Sequence, residues 1–107
     1  MTTKGKPSRL TGSRILRTLQ NHQALLREYS VNRIGLFGSY VNGSPTQESD
    51  IDFLVEFEHP TYDNFIGLIR ELEKFFGRKV EVLTPDGLDS IRVHEVAQSI
   101  RQSVVYL

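Results

Sequence analysis

The chain has 107 residues, 38% of them apolar and 24% charged, with no cysteine and no formal net charge. That composition excludes a disulfide framework, a thiolate metal site and a chain that stays disordered, and the length points to a single domain over residues 1–107. Residues 1–8 read as a basic arm without an apolar h-region, and no stretch is long enough to span a bilayer, so a cytoplasmic protein with no membrane partner is expected.

The charges are segregated. Up to Arg33 there are seven basic residues against one acid, Glu28, whereas from Glu48 to Asp63 there are six acids and no lysine or arginine. The basic segment reads mainly as a solvated tail followed by the polar face of a helix. From Arg9 to Tyr29, Ile15, Leu16, Leu19, Leu25 and Leu26 recur at helical steps and predict one amphipathic helix. Asn32 to Phe37 is a short apolar strand that stops at Gly38, and Gly43 to Ser49 is a polar loop. Asp50 to Phe57 alternates strictly, with Ile51, Phe53, Val55 and Phe57 on one face and Asp50, Asp52, Leu54 and Glu56 on the other. After Pro60, Thr61 or Asp63 caps a helix whose stripe runs from Phe65 through Leu68, Leu72, Phe75 and Phe76 to a stop at Gly77. Lys79 to Leu83 is a third strand with Glu81 between Val80 and Val82, and a last helix from Asp89 to Val104 is expected to bury Ile91, Val96 and Ile100. The order of helix, strand, strand, helix, strand, helix places the chain among α/β or α+β domains.

The chemistry concentrates between the first two strands. Gly38-Ser39 follows a strand, and one helical turn over Tyr40 to Asn42 would leave backbone N–H groups that, with the Ser39 hydroxyl, suit phosphate oxygens. Ten residues separate Ser39 from Asp50-Ile51-Asp52, whose two carboxylates share a strand face roughly 7 Å apart. Like charges at that separation repel by about 2 kcal/mol at an effective dielectric near 20, and a hard cation such as magnesium relieves the repulsion. Two ions gripped there would stabilise attacking and leaving oxygens in phosphoryl or nucleotidyl transfer. Glu81, turned away from the core by Val80 and Val82, is the candidate third acid, binding metal and taking a proton from the acceptor. Ser44 and Thr46 lie in the loop before the acids and read mainly as solvated loop residues, with a phosphate contact as the second reading. His59 and His94 belong to no cluster of ligands along the sequence.

The segment GLFGSYVNGSPTQESDIDFLV from Gly35 resembles the Gly-Ser, ten residues, Asp-x-Asp signature of the minimal nucleotidyltransferases in the DNA polymerase beta superfamily. The resemblance continues through KVEVLTPDGL and VVYL, and departs at Asn42, where many relatives carry arginine, and at Glu81, where aspartate is usual. It implies a small mixed sheet backed by helices, with ATP as cosubstrate alongside magnesium. It also implies pairing with a helical HEPN ribonuclease toxin, which the nucleotidyltransferase neutralises as antitoxin by adding AMP to a toxin tyrosine. On this reading Asp50, Asp52 and Glu81 are the catalytic and metal-binding residues. Gly38, Ser39, Asn42 and Ser49 bind the nucleotide, and the direct partner is a protein in a hetero-oligomer rather than a nucleic acid.

Overall fold

Alternation along the second strand decides the architecture. In the computed structural model, which describes residues 10–43, 45–46 and 48–107, β2 (Ile51–Phe57) buries Ile51, Phe53 and Val55 completely on one face and Leu54 on the other. Both faces are therefore covered. The expected basic arm of residues 1–8 and Ser44 fall outside the described residues. The four-stranded sheet has the order β3-β2-β1-β4, with β1 (Val31–Phe37), β3 (Val80–Leu83) and β4 (Val105–Tyr106). β1 runs antiparallel to β2 and β4, whereas β3 is parallel to β2, giving the mixed sheet that the resemblance implies.

Three helices cover the first face: α1 (Gly12–Gln20), α2 (Gln23–Glu28) and α4 (Tyr62–Phe76). Ile15, Leu19, Leu26, Leu68 and Leu72 pack there against Ile34, Leu36, Ile51, Phe53, Val55 and Val80. Truncating a side chain such as Phe53 in this layer would cost about 3–5 kcal/mol. Thr11 caps α1 by accepting the Arg14 N–H at 3.2 Å, Thr61 caps α4 by accepting that of Asn64 at 3.1 Å, and Gly77 terminates α4. Phe75, predicted in the core stripe, is instead 43% exposed and packs against His22 in a tilted arrangement with ring centroids 4.5 Å apart.

The single helix predicted over Arg9–Tyr29 is two. Asn21 N–H turns back to the Arg17 and Thr18 carbonyls, and His22 Nδ1–H donates to the Thr18 carbonyl at 2.7 Å. The imidazole thus satisfies a carbonyl at the end of α1, and the chain restarts as α2 at an angle that brings Leu26 into the core.

The second face is covered only in part. The helix predicted over Asp89–Val104 is replaced by α5 (Pro85–Asp89), opened by the Thr84 cap, and α6 (His94–Ser103). Leu88 and Ala97 pack on Leu54, flanked by Ile91 and Ile100, and Arg101 pairs with Asp89 at 2.5 Å. Val96, expected in the core, is 48% exposed, because Ala97 occupies the inward position of α6 and Ile91 and Ile100 lie half-buried at its margins. β4 was not predicted, since two residues are too few to show alternation. It docks beside Gly35, where a Cβ would stand 2.6 Å from Val104 Cγ2 and 2.9 Å from Tyr106 Cδ1, and the Arg33 guanidinium lies 3.5 Å above the Tyr106 ring.

Between β1 and β2 the chain makes α3 (Ser39–Asn42), one helical turn anchored by its buried Tyr40. Arg78 Nη1 donates to Tyr40 Oη at 2.5 Å and to the Thr46 carbonyl at 3.1 Å, so one guanidinium fixes both the turn after β1 and the loop before β2. In a double-mutant cycle followed by urea unfolding, Tyr40→Phe and Arg78→Ala should each destabilise the fold. Their coupling should be about 1–2 kcal/mol, since the deleted bond has a charged donor. Strictly additive effects would mean that the bond contributes nothing to holding the two segments together.

Candidate active site

Pairing across the sheet brings three predicted features into one row. Phe37 lies opposite Asp52 in the antiparallel β1–β2 ladder, and Asp52 lies opposite Glu81 in the parallel β2–β3 ladder. The row falls where the cover of α5 and α6 ends, so it borders a cavity of 270 Å³ closed by Val82, Leu83 and Ile100. Asp50 immediately precedes β2 and is half-buried. Among the described residues, none of the three acids forms an ion pair. Burial, followed by the charges of Glu81 and Asp50, pushes the Asp52 carboxyl up to about 6. Among the described residues the site concentrates negative charge and no cation pairs with it.

Gly38 meets this charge from the side. Its backbone (φ 82°, ψ −150°) is in a region open almost only to glycine, and a Cβ there would overlap Asp52 Oδ2. The glycine is thus required by the close approach of the carboxylate as well as by the turn. Within α3, the Gly38 carbonyl accepts the N–H groups of Val41 and Asn42 at 3.0 and 2.9 Å. Among the described residues the N–H groups of Ser39 and Tyr40 have no partner, so these two, with the Ser39 hydroxyl, are the donors open to an anion. Asn42 ends the turn with an exposed side chain. Ser49 Oγ accepts the Thr46 N–H at 2.9 Å, and Thr46 Oγ1 in turn accepts the Glu48 N–H at 3.2 Å. Ser49 and Thr46 shape the loop that delivers Asp50.

A metal would find hard oxygen donors here and an excess of charge to neutralise, which is what magnesium selects. The described residues contain no group of three acids or histidines already closed around a point, so the carboxylates would share coordination with substrate phosphates and water. The donor set fits such an ion.

A second cavity of 370 Å³ adjoins the first through Phe37 and Ile100, which line both. Its near wall is Gly38 and Asn42; its far wall is the face of α6 that carries Glu95, Val96, Ser99 and Ser103. Sequence reasoning did not place Glu95, Ser99 and Ser103 beside Gly38 and Asn42. Polar residues at four-residue steps on a helix read as a solvated face, and only the apolar Val96 among them signals anything else. Arg78 was missed as well, since its partners Tyr40 and Thr46 lie far away along the chain.

The chain is similar to known proteins. Residues 20–107 match the family model described as a nucleotidyltransferase domain. The chain is 40% identical over 101 residues to a Methanocaldococcus jannaschii chain provisionally named a protein adenylyltransferase, covering 91% of this chain and 98% of the relative. It is 38% identical over 100 residues to the protein adenylyltransferase MntA of Thermococcus cleftensis, covering 92% and 97%. A solved structure provisionally described as a minimal nucleotidyltransferase has the same fold, with a TM-score of 0.71 at 20% identity over 94% of this chain and 100% of that one. A crystal structure of a toxin–antitoxin with AMP-PNP aligns with a TM-score of 0.60 at 23% identity, over 81% and 69%. The matched span takes in the glycine turn, the row of acids and both cavities, and on that ground the chain belongs to the nucleotidyltransferase domain family and is a nucleotidyltransferase.

Proposed function

We propose that the chain transfers AMP from ATP, with magnesium, to a tyrosine hydroxyl of a HEPN-type ribonuclease toxin, and thereby acts as its antitoxin. The observation that carries the reading is the clustered negative charge at Asp52, opposite Glu81 and pressed against the backbone of Gly38. The names of the relatives support the adenylyl group and a protein acceptor, and the toxin–antitoxin assembly among the fold neighbours supports the class of partner.

Each residue then has a task. The N–H groups of Ser39 and Tyr40 and the Ser39 hydroxyl hold the outer phosphates, and Asn42 reaches the triphosphate with its amide in place of the arginine of many relatives. Ser49 acts through the loop, holding Asp50 in position. Asp50, Asp52 and Glu81 would hold magnesium together with phosphate oxygens, and the bound ion would supply charge neutralisation at the reacting phosphorus and acidity at the acceptor hydroxyl. The acceptor oxygen forms a bond to the α-phosphorus while the bond from that phosphorus to the bridging oxygen breaks. Pyrophosphate leaves and the hydroxyl proton passes to Glu81. Orientation of the tyrosine falls to the toxin's own docking surface, which makes a stable complex part of the mechanism.

Incubation with α-labelled ATP, magnesium and the toxin should label a toxin tyrosine. Asp52→Ala should still bind the toxin but leave it unlabelled. Glu81→Gln should lose roughly 10²–10⁴-fold in rate while nucleotide affinity holds, because the lost function is proton transfer rather than phosphate contact. Full protection of cells by Asp52→Ala would show instead that contact alone neutralises the toxin. Labelling of RNA or a small molecule but not of the toxin would refute the protein acceptor.

The same charge should be visible in stability. A folded-state carboxyl raised to about 6 binds its proton more tightly than in the unfolded chain. Its contribution is therefore fully present below about pH 4 and is lost as pH rises through 6. In metal-free buffer Asp52→Asn should be more stable than the parent at pH 7.5 by about 1 kcal/mol, allowing for solvent screening of this half-exposed group. Thermal melts should show the difference shrinking through pH 6 and vanishing near pH 4. A gap independent of pH would mean that the carboxylate is not strained by its neighbours.

A further inference from the structure

The third acid stands on an edge strand, which the sheet holds from one side only. β3 is four residues long, and its register against β2 decides where Glu81 points, because a slip of one residue would turn that side chain to the opposite face. Glu81 directly follows Val80, the first residue of the strand, so its placement depends on how the start of β3 is held.

Two elements hold that start. On the sheet side the Ile51 N–H donates to the Lys79 carbonyl at 3.0 Å, which ties the strand to β2. The Val80 N–H turns away from β2 to the last turn of α4, where Glu73 Oε2 accepts it at 3.0 Å. The Glu73 carbonyl also accepts the Gly77 N–H at 2.8 Å, and Gly77 reverses the chain with a left-handed φ of 63°. One residue of α4 thus grips both ends of the link from Gly77 to Lys79 that leads into β3. Val80 is only 4% exposed, so water is poorly placed to replace the carboxylate.

We propose that Glu73 is a positioning residue for nucleotidyl transfer: by holding the Val80 N–H with its carboxylate, it fixes Glu81 opposite Asp52. The inference rests on the role proposed for Glu81 and adds to it the group that sets its place. Glu73 does not line the cavity that borders the acids, and its influence passes through the backbone of β3. Arg78, inside the same link, holds the glycine turn and the loop through Tyr40 and Thr46. The two side chains therefore divide the work, Arg78 placing the phosphate donors and Glu73 the third acid. The competing account is structural: a carboxylate on an outward N–H shields an edge strand from pairing with another chain.

The test compares the parent with Glu73→Ala, Glu73→Asp and Glu73→Gln, with urea unfolding to report on folding. Nuclear magnetic resonance without nucleotide or metal reads amide exchange at Val80 and the cross-strand contacts between Asp52 and Glu81. Transfer is measured with α-labelled ATP, magnesium and the toxin. In Glu73→Ala the Val80 amide should exchange roughly tenfold faster and the Asp52–Glu81 contacts should weaken. Its kcat should fall roughly 10–100-fold, the loss that a misplacement of about 1 Å causes, while KM for ATP stays within about twofold. Glu73→Gln keeps an acceptor oxygen at the same reach and should retain most of the rate. Glu73→Asp keeps the charge but withdraws the oxygens by one methylene, so it should behave like Glu73→Ala and carries the comparison if the alanine variant does not fold. In a Glu81→Gln background, removal of the Glu73 carboxylate should lower the rate no further. An equal further loss there would make Glu73 a folding residue and overturn this inference alone. Asp52–Glu81 contacts that persist in Glu73→Ala would overturn it as well, whether or not the toxin is labelled. If Glu81→Gln by itself transfers as fast as the parent, the third-acid reading fails and takes this inference with it.

Discussion

The carboxylate of Asp52 is the constraint around which the rest of the molecule is arranged. It faces Glu81 on the parallel strand, has Asp50 two residues away and stands against the bare backbone of Gly38. Such a group is unfavourable for folding, and the opposite face of the same strand offsets it. Ile51 and Phe53, its immediate neighbours, are wholly buried in the main core, so Asp52 cannot turn away from the cleft without withdrawing a phenyl ring from the best-packed layer. One strand thus uses the hydrophobic effect on one face to hold an electrostatic strain on the other. That is the preorganisation that charge-stabilising catalysis requires.

The Gly-Ser turn depends on the same arrangement. The backbone of Gly38 can pass close to Asp52 only in a conformation that side chains resist, and the turn that follows is pinned from behind by Tyr40 and Arg78. Arg78 also holds Thr46, so the segment that presents donors and the segment that presents acids are referred to a single side chain at the start of the third strand. The spacing between Ser39 and Asp50 consequently acts as a structural quantity. The loop must be long enough to cross from one strand end to the other and still let Thr46 and Ser49 close on each other.

How much of this could be read in the sequence follows the range of the interactions. The alternation from Ile51 to Phe57 and the position of Glu81 between two valines were legible because a strand's period is set by its own backbone, and the Asp52–Glu81 pairing followed from it. The break at Asn21-His22 was not, since it depends on an imidazole competing for the Thr18 carbonyl, which a hydrophobic pattern does not record. Nor was the choice between Val96 and Ala97 for the inward position of α6. Both positions are compatible with an amphipathic stripe, and the rotation of the helix is set by its attachment to a two-residue strand that packs against Gly35. Arg78 left no local trace, because its partners are 32 and 38 residues away.

The two walls of the cleft come from separate stretches of the chain: the donors and acids from Gly38 to Glu81, the facing helix from the segment after Leu83. They meet at the cavities through Phe37 and Ile100, and beneath them Ala97 packs on Leu54 while the helix runs on into β4. Substitutions on the exposed face of α6 therefore leave the acids and their supporting core untouched. Descendants of such a chain can drift in what they recognise while conserving what they do, and the short C-terminal segment is where that divergence has room to accumulate.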